Sequence, residues 1–103
     1  MKMTDDRTMS KSDKALIKRM SINNELGIHA RAAAKIVALA GQFKSELFFR
    51  KGDREVDGDS ILAILTLACP KGTEVEARAV GEDSEALIGA LSELFEQKFG
   101  EVK

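Results

Sequence analysis

The chain has 103 residues and a mass of 11.2 kDa, enough for one domain with a modest core, and this excludes a multidomain enzyme. With 44% hydrophobic and 32% charged residues the composition is that of a globular protein rather than a disordered or membrane one. Sixteen basic residues against seventeen acidic ones leave a net charge of -1, without the basic excess that nucleic-acid binding by phosphate neutralisation requires.

The sparse residue types narrow the chemistry further. A lone Cys69 cannot form an internal disulfide, and a single His with no Trp or Tyr leaves neither a metal-ligand cluster nor an aromatic platform for single-stranded nucleic acid. No metal and no cofactor are expected, and any imidazole chemistry must run through His29. The longest uncharged apolar stretch, Ile61 to Pro70, is about half of what a membrane-spanning helix needs, so no membrane insertion is expected. The first fourteen residues lack the apolar centre of a secretory signal, which makes the cytoplasm the expected compartment.

Taken in chain order, residues 1–14 mix charge with Ser, Thr and Met without a helical or strand period and are expected to form a tail outside a 15–103 domain. Leu16, Met20 and Ile22 alternate with Ile17, Arg19 and Ser21, which predicts a first strand ending at Asn23-Asn24. From His29 to Phe43 the apolar residues Ala33, Ile36, Val37, Ala40 and Phe43 follow a helical period, and Gly41 supplies a stop. Glu46 to Arg50 and Arg54 to Val56 flank Lys51-Gly52-Asp53 and predict a hairpin, with Leu47 and Phe49 on one face. Ser60 as cap and Pro70 as stop predict a short helix over Ile61 to Ala68. The alternation of Val75, Ala77 and Ala79 with Glu74, Glu76 and Arg78 predicts a strand from Thr73 to Val80. A long amphipathic helix is predicted from about Asp83 to Phe99, with Asp83 or Ser84 as cap and Leu87, Ile88, Leu91, Leu94 and Phe95 on its buried side. The order βαββαβα, with half-buried strands and amphipathic helices, implies an α+β fold with three helices packed on one face of a sheet.

His29 falls where a loop turns into a helix, and free backbone N–H groups and the positive end of the helix dipole make such a place an anion site. That field disfavours protonation of the ring and keeps a nitrogen lone pair available as a nucleophile. Arg31, two residues on, is within reach of an anion beside the ring. A phosphoryl acceptor is one reading of this constellation, and a capping histidine without further role is the other.

The run Gly27-Ile28-His29-Ala30-Arg31-Ala32-Ala33 resembles the phosphohistidine motif of HPr, the histidine-containing phosphocarrier family of the bacterial phosphotransferase system, and Val56-Asp57-Gly58-Asp59-Ser60-Ile61-Leu62 resembles its second signature. The similarity covers the chain from about Lys14 onward. It implies an open-faced β-sandwich of four antiparallel strands with three helices on one side. It also implies a protein substrate and carrier rather than an enzyme: Nδ1 of His29 takes a phosphoryl group from phosphorylated enzyme I, ultimately from phosphoenolpyruvate, Arg31 steadies it, and a sugar-transporter EIIA component receives it. Where the family commonly has proline after the arginine this chain has Ala32, which predicts a slightly less pre-organised first turn with activity retained.

The same resemblance makes Ser60 a regulatory phosphorylation site for a serine kinase/phosphorylase, although a serine there also serves as an ordinary cap and Asp59 stands where relatives often have a basic or small residue. Ile61, Leu62 and Leu65 on an all-round apolar helix are expected to form a partner-docking patch, with Lys35 adding positive charge on that side. A monomer is expected. Two alternatives accompany the sugar-transport reading: a nitrogen-type regulatory relay, and a binding partner controlled through Ser60 alone.

Overall fold

The computed structural model describes residues 15–103, so the expected tail over residues 1–14 lies outside the described residues. Four strands, β1 (Ala15–Ser21), β2 (Glu46–Lys51), β3 (Arg54–Asp57) and β4 (Glu74–Val80), form one antiparallel sheet in the order β1-β4-β2-β3. Three helices, α1 (Ala30–Ala40), α2 (Ile61–Leu65) and α3 (Ser84–Glu96), complete the expected order and cover one side of it.

Period-two patterning decides which side is covered. Met20, Leu47, Phe49, Val75, Ala77 and Ala79 point into the core, where they meet Ala32, Ala33 and Ile36 of α1, Ile64 of α2 and Leu87, Leu91 and Phe95 of α3. The central strand β4 contributes alanines at two of its three inward positions, and their small size lets the helical layer lie close to the sheet. The opposite face stays in water and is held by charge: Arg78 reaches Glu55 at 2.7 Å and lies 4.5 Å from the centre of the Phe48 ring, and Arg19 reaches Glu74 at 3.5 Å. The β2–β3 turn closes on the Lys51–Arg54 pair, with Gly52 at φ +61° as a two-residue loop requires.

Two helix boundaries depart from the sequence reading. Helix α2 ends at Leu65, well before Pro70, and the carbonyls of the turn after it find partners in the β2–β3 hairpin: Lys51 Nζ donates to those of Leu67 and Ala68 at 3.0 and 2.6 Å, and Arg54 Nη1 donates to that of Thr66 at 3.0 Å. Ala68 then leaves the helical region at φ +54°. Helix α3 ends at Glu96 rather than Phe99, and Lys98, Phe99 and Gly100 all turn left-handed, with φ of +57°, +58° and +81°.

At the other end of α3, neither Asp83 nor Ser84 caps through its side chain. The Asp83 carboxylate instead accepts from the Lys44 N–H at 2.9 Å, the Ser45 N–H at 2.8 Å and the Ser45 hydroxyl at 2.5 Å, stitching the α1–β2 connection to the start of α3. These bonds, the Ser45 hydroxyl foremost, hold the Asp83 carboxyl below the usual aspartate range. A carboxyl that is more acidic in the folded state adds stability above its unfolded pKa, and that stability disappears as pH falls through the lowered folded value. Asp83→Asn should therefore lower the urea midpoint at neutral pH and flatten its decline as pH falls through and below the ordinary aspartate range, measured as a pH series of unfolding curves.

Candidate functional site

His29 occupies the N-cap of α1, at φ -96° and ψ -176°, as its position at the loop–helix boundary predicts. The loop before it is tightly specified. Gly27, at φ +69°, passes so close to the α2–β4 connection that a Cβ would lie 2.5 Å from the Cys69 carbonyl oxygen and 2.8 Å from Pro70 Cα. That approach lets the Ile28 N–H donate to the Cys69 carbonyl at 2.9 Å, anchoring the residue before the histidine. Cys69 is buried, as its apolar setting predicts, and burial pushes its thiol pKa up.

The imidazole has a partner on each nitrogen. Nδ1 accepts the backbone N–H of Arg31 at 3.2 Å, the ordinary role of an N-cap side chain, and Nε2 pairs with the Glu101 carboxylate. Because an N–H cannot face another N–H, Nδ1 carries a lone pair and the ring proton resides on Nε2, aimed at Glu101. The first turn of α1 contains no acidic residue, so its positive end is uncompensated within the helix and open to an anion beside Nδ1. His29 remains reachable, with 26% of its side chain exposed.

Glu101 is fixed in turn. Its other oxygen accepts from Asn24 Nδ2 at 2.9 Å, and the same amide donates to the Gly27 carbonyl at 2.8 Å. Asn24 is fully buried, and two acceptors facing one end of its side chain leave only the NH₂ group suited to that end. Hydrogen bonds from His29, then from Asn24, draw the Glu101 carboxyl below the usual glutamate range, with Arg31 adding to the effect through its charge.

The other expected site residues divide. Arg31 is exposed at the site and lines a cleft with Glu25, Leu26, Glu101, Val102 and Lys103. Ser60 is the N-cap of α2, its hydroxyl accepting the Ala63 N–H at 3.2 Å. Leu62 is 76% exposed and Ile61 38%, as a docking patch requires, whereas Leu65 is half-buried against the core. Helix α2 is a single turn and α-helical spacing leaves only Ile64 fully inside, so Leu65 divides between core and surface. Lys35 is exposed, and its ammonium donates to the Phe99 carbonyl, 2.6 Å away, which also fastens the turn after α3. Sequence reasoning missed Asn24, which reads as a turn former, and Glu101, which no motif marks. Among the described residues no group of His, Cys, Asp and Glu could hold a metal ion, and no described helix is long and apolar enough to cross a membrane.

Comparison with known proteins gives one answer throughout. The family described as "PTS HPr component phosphorylation site" matches residues 17–97. A phosphocarrier protein HPr of Xylella fastidiosa is 42% identical over 82 residues, covering 80% of this chain and 92% of its own, and a phosphocarrier protein NPr of Shewanella violacea is 34% identical over 86 residues, covering 84% and 94%. The crystal structure of an HPr from Thermoanaerobacter tengcongensis superposes with a TM-score of 0.82 at 38% identity, covering 85% of this chain and 99% of that one. With the family match spanning most of the chain, the same strand-and-helix architecture and relatives covered almost end to end, the chain belongs to the HPr family, a phosphocarrier rather than an enzyme.

Proposed function

We propose that His29 is the phosphoryl acceptor, charged on Nδ1 by phosphorylated enzyme I and discharged to an EIIA-type component of a sugar transporter. The observation that carries this reading is the lone pair of Nδ1 at the uncompensated N-terminus of α1. As that lone pair forms the N–P bond, the bond between phosphorus and the donor breaks, its electron pair leaving with the donor. The Arg31 N–H, no longer engaged by Nδ1, then becomes available to a phosphoryl oxygen together with the guanidinium of the same residue. Transfer of this kind depends chiefly on positioning and charge stabilisation, which the helix terminus and Arg31 supply without a metal ligand set. Ile61 and Leu62 provide exposed apolar area for the partners to dock on.

The test is phosphoryl transfer from phosphoenolpyruvate in the presence of enzyme I and Mg²⁺. The expected product is acid-labile and alkali-stable, as a phosphoramidate is. An unlabelled protein beside an enzyme I of proven activity would overturn the reading. The relative named NPr supports a second reading, a nitrogen-type regulatory relay using the same chemistry with different acceptors. Offering the phosphorylated protein to EIIA components of both kinds separates the two by which one is labelled. Regulation at Ser60 is compatible with either reading: a phosphate there would sit at the N-terminus of α2 next to the exposed Ile61 and Leu62 and add negative charge to that face.

A further inference from the structure

We propose that Glu101 is the positioning residue of this site: it holds His29 in the Nε2–H tautomer and balances the positive charge that the ring carries once Nδ1 is phosphorylated. The first half rests on the geometry alone, and the second rests on the carrier reading above.

The placement of Glu101 is built rather than incidental. One carboxylate oxygen meets His29 Nε2 and the other meets Asn24 Nδ2, so the group is oriented at two points. The backbone on both sides is also tied down. Before it, Phe99 is buried at 1% exposure and its carbonyl takes the Lys35 ammonium; after it, the Lys103 carbonyl accepts the Glu25 N–H at 2.9 Å. The left-handed turn over Lys98, Phe99 and Gly100 carries the chain out of α3 and back to the loop that holds His29. Only 14% of the Glu101 side chain is exposed, little for a carboxylate with no role.

The chemistry follows from the tautomer. An imidazole protonated on Nε2 attacks phosphorus through Nδ1, and since it keeps its proton the product is a phosphorylated imidazolium of charge +1. Glu101, anionic and aligned with Nε2–H, neutralises that charge where it forms. On discharge the N–P bond breaks, its electron pair returns to Nδ1, and the ring leaves as neutral imidazole rather than as the far more basic imidazolate. No proton enters or leaves the ring in either direction. The carboxylate thus serves acceptance and release alike, while the Arg31 N–H lies on the Nδ1 side of the ring and the Lys35 ammonium is engaged with the turn.

The experiment uses Glu101→Gln and Glu101→Ala in the full chain, with cooperative unfolding checked for each. Long-range ¹⁵N–¹H spectra of His29 read the tautomer without any phosphoryl donor, and initial rates with phosphoenolpyruvate, enzyme I and Mg²⁺ read the transfer. Wild type should show Nε2–H with an unprotonated Nδ1. Glu101→Gln, which keeps an acceptor oxygen but no charge, should retain this tautomer while its transfer rate falls about tenfold, and Glu101→Ala should lose both the single tautomer and the rate. A wild-type ring protonated on Nδ1, or a Glu101→Ala variant unchanged in tautomer and rate, would overturn the proposal. A wild type with the Nε2–H tautomer that no active enzyme I can label would overturn the carrier reading and the charge-balancing role with it, while supporting the fixing of the tautomer.

Discussion

His29→Ala should reduce phosphoryl labelling to background while leaving a cooperatively folded protein. The chain contains no second histidine, so no neighbouring imidazole can substitute for the acceptor. The cost in stability is bounded by what the side chain contributes: one cap bond to the Arg31 N–H and one pair with a partly exposed carboxylate that keeps Asn24 as a partner. Loss of a cap of this kind costs about 1 kcal/mol, so the thermal midpoint should move by only a few degrees. Thermal unfolding followed by circular dichroism, run beside the labelling assay, checks both halves of this statement. Retained acid-labile label in the variant would place the acceptor elsewhere and remove His29 from the mechanism.

The largest effect on stability is expected from Phe99→Ala. Phe99 is 1% exposed, and its ring centre lies 4.9 Å from that of Phe95, which in turn lies 6.2 Å from that of Phe49, so the three rings join the end of α3 to the sheet. Truncating a buried Phe costs about 3–5 kcal/mol, a large part of the roughly 5–15 kcal/mol that holds a domain together. Phe99 also holds a left-handed conformation at φ +58° that a side chain adopts at a cost of about 1–2 kcal/mol, and burial of the ring is what offsets it. Without the ring the turn over residues 98–100 loses its anchor and Glu101 its support, so the His29 tautomer should shift along with the unfolding free energy. Urea denaturation of Phe99→Ala and Phe99→Leu measures this. A loss below about 1 kcal/mol for the alanine variant would show that the ring is not what holds the turn.

The sheet and the position of His29 were legible because both depend on local pattern. Alternation marks β4 without ambiguity, Leu47 and Phe49 point β2 inward, and the boundary between Gly27-Ile28 and the Ala-rich run places His29 at the cap of α1. What stayed hidden depends on contacts between distant segments. Asp83 reads as a cap for its own helix, yet its carboxylate is claimed by Lys44 and Ser45. Lys35 reads as a positive charge on the docking side, and its sequence context gives no sign that it also meets a carbonyl 64 residues away. The periodicity of α3 continues through Phe99, and only the pull of the aromatic cluster and the glycine after it turn the chain aside. Helix α2 reads as continuing toward Pro70 because the cations that engage the carbonyls of residues 66 to 68 come from the distant β2–β3 hairpin.

Glu101 is 72 residues from His29, and that separation makes the charge environment of the imidazole a property of the finished fold. During synthesis His29 leaves the ribosome long before its carboxylate does, and the two meet only after the sheet has closed around β4 and α3 has docked on it. A nascent or partly unfolded chain therefore carries His29 without its carboxylate partner. On the carrier reading proposed above, full competence for the relay would arrive in the same cooperative step as stability.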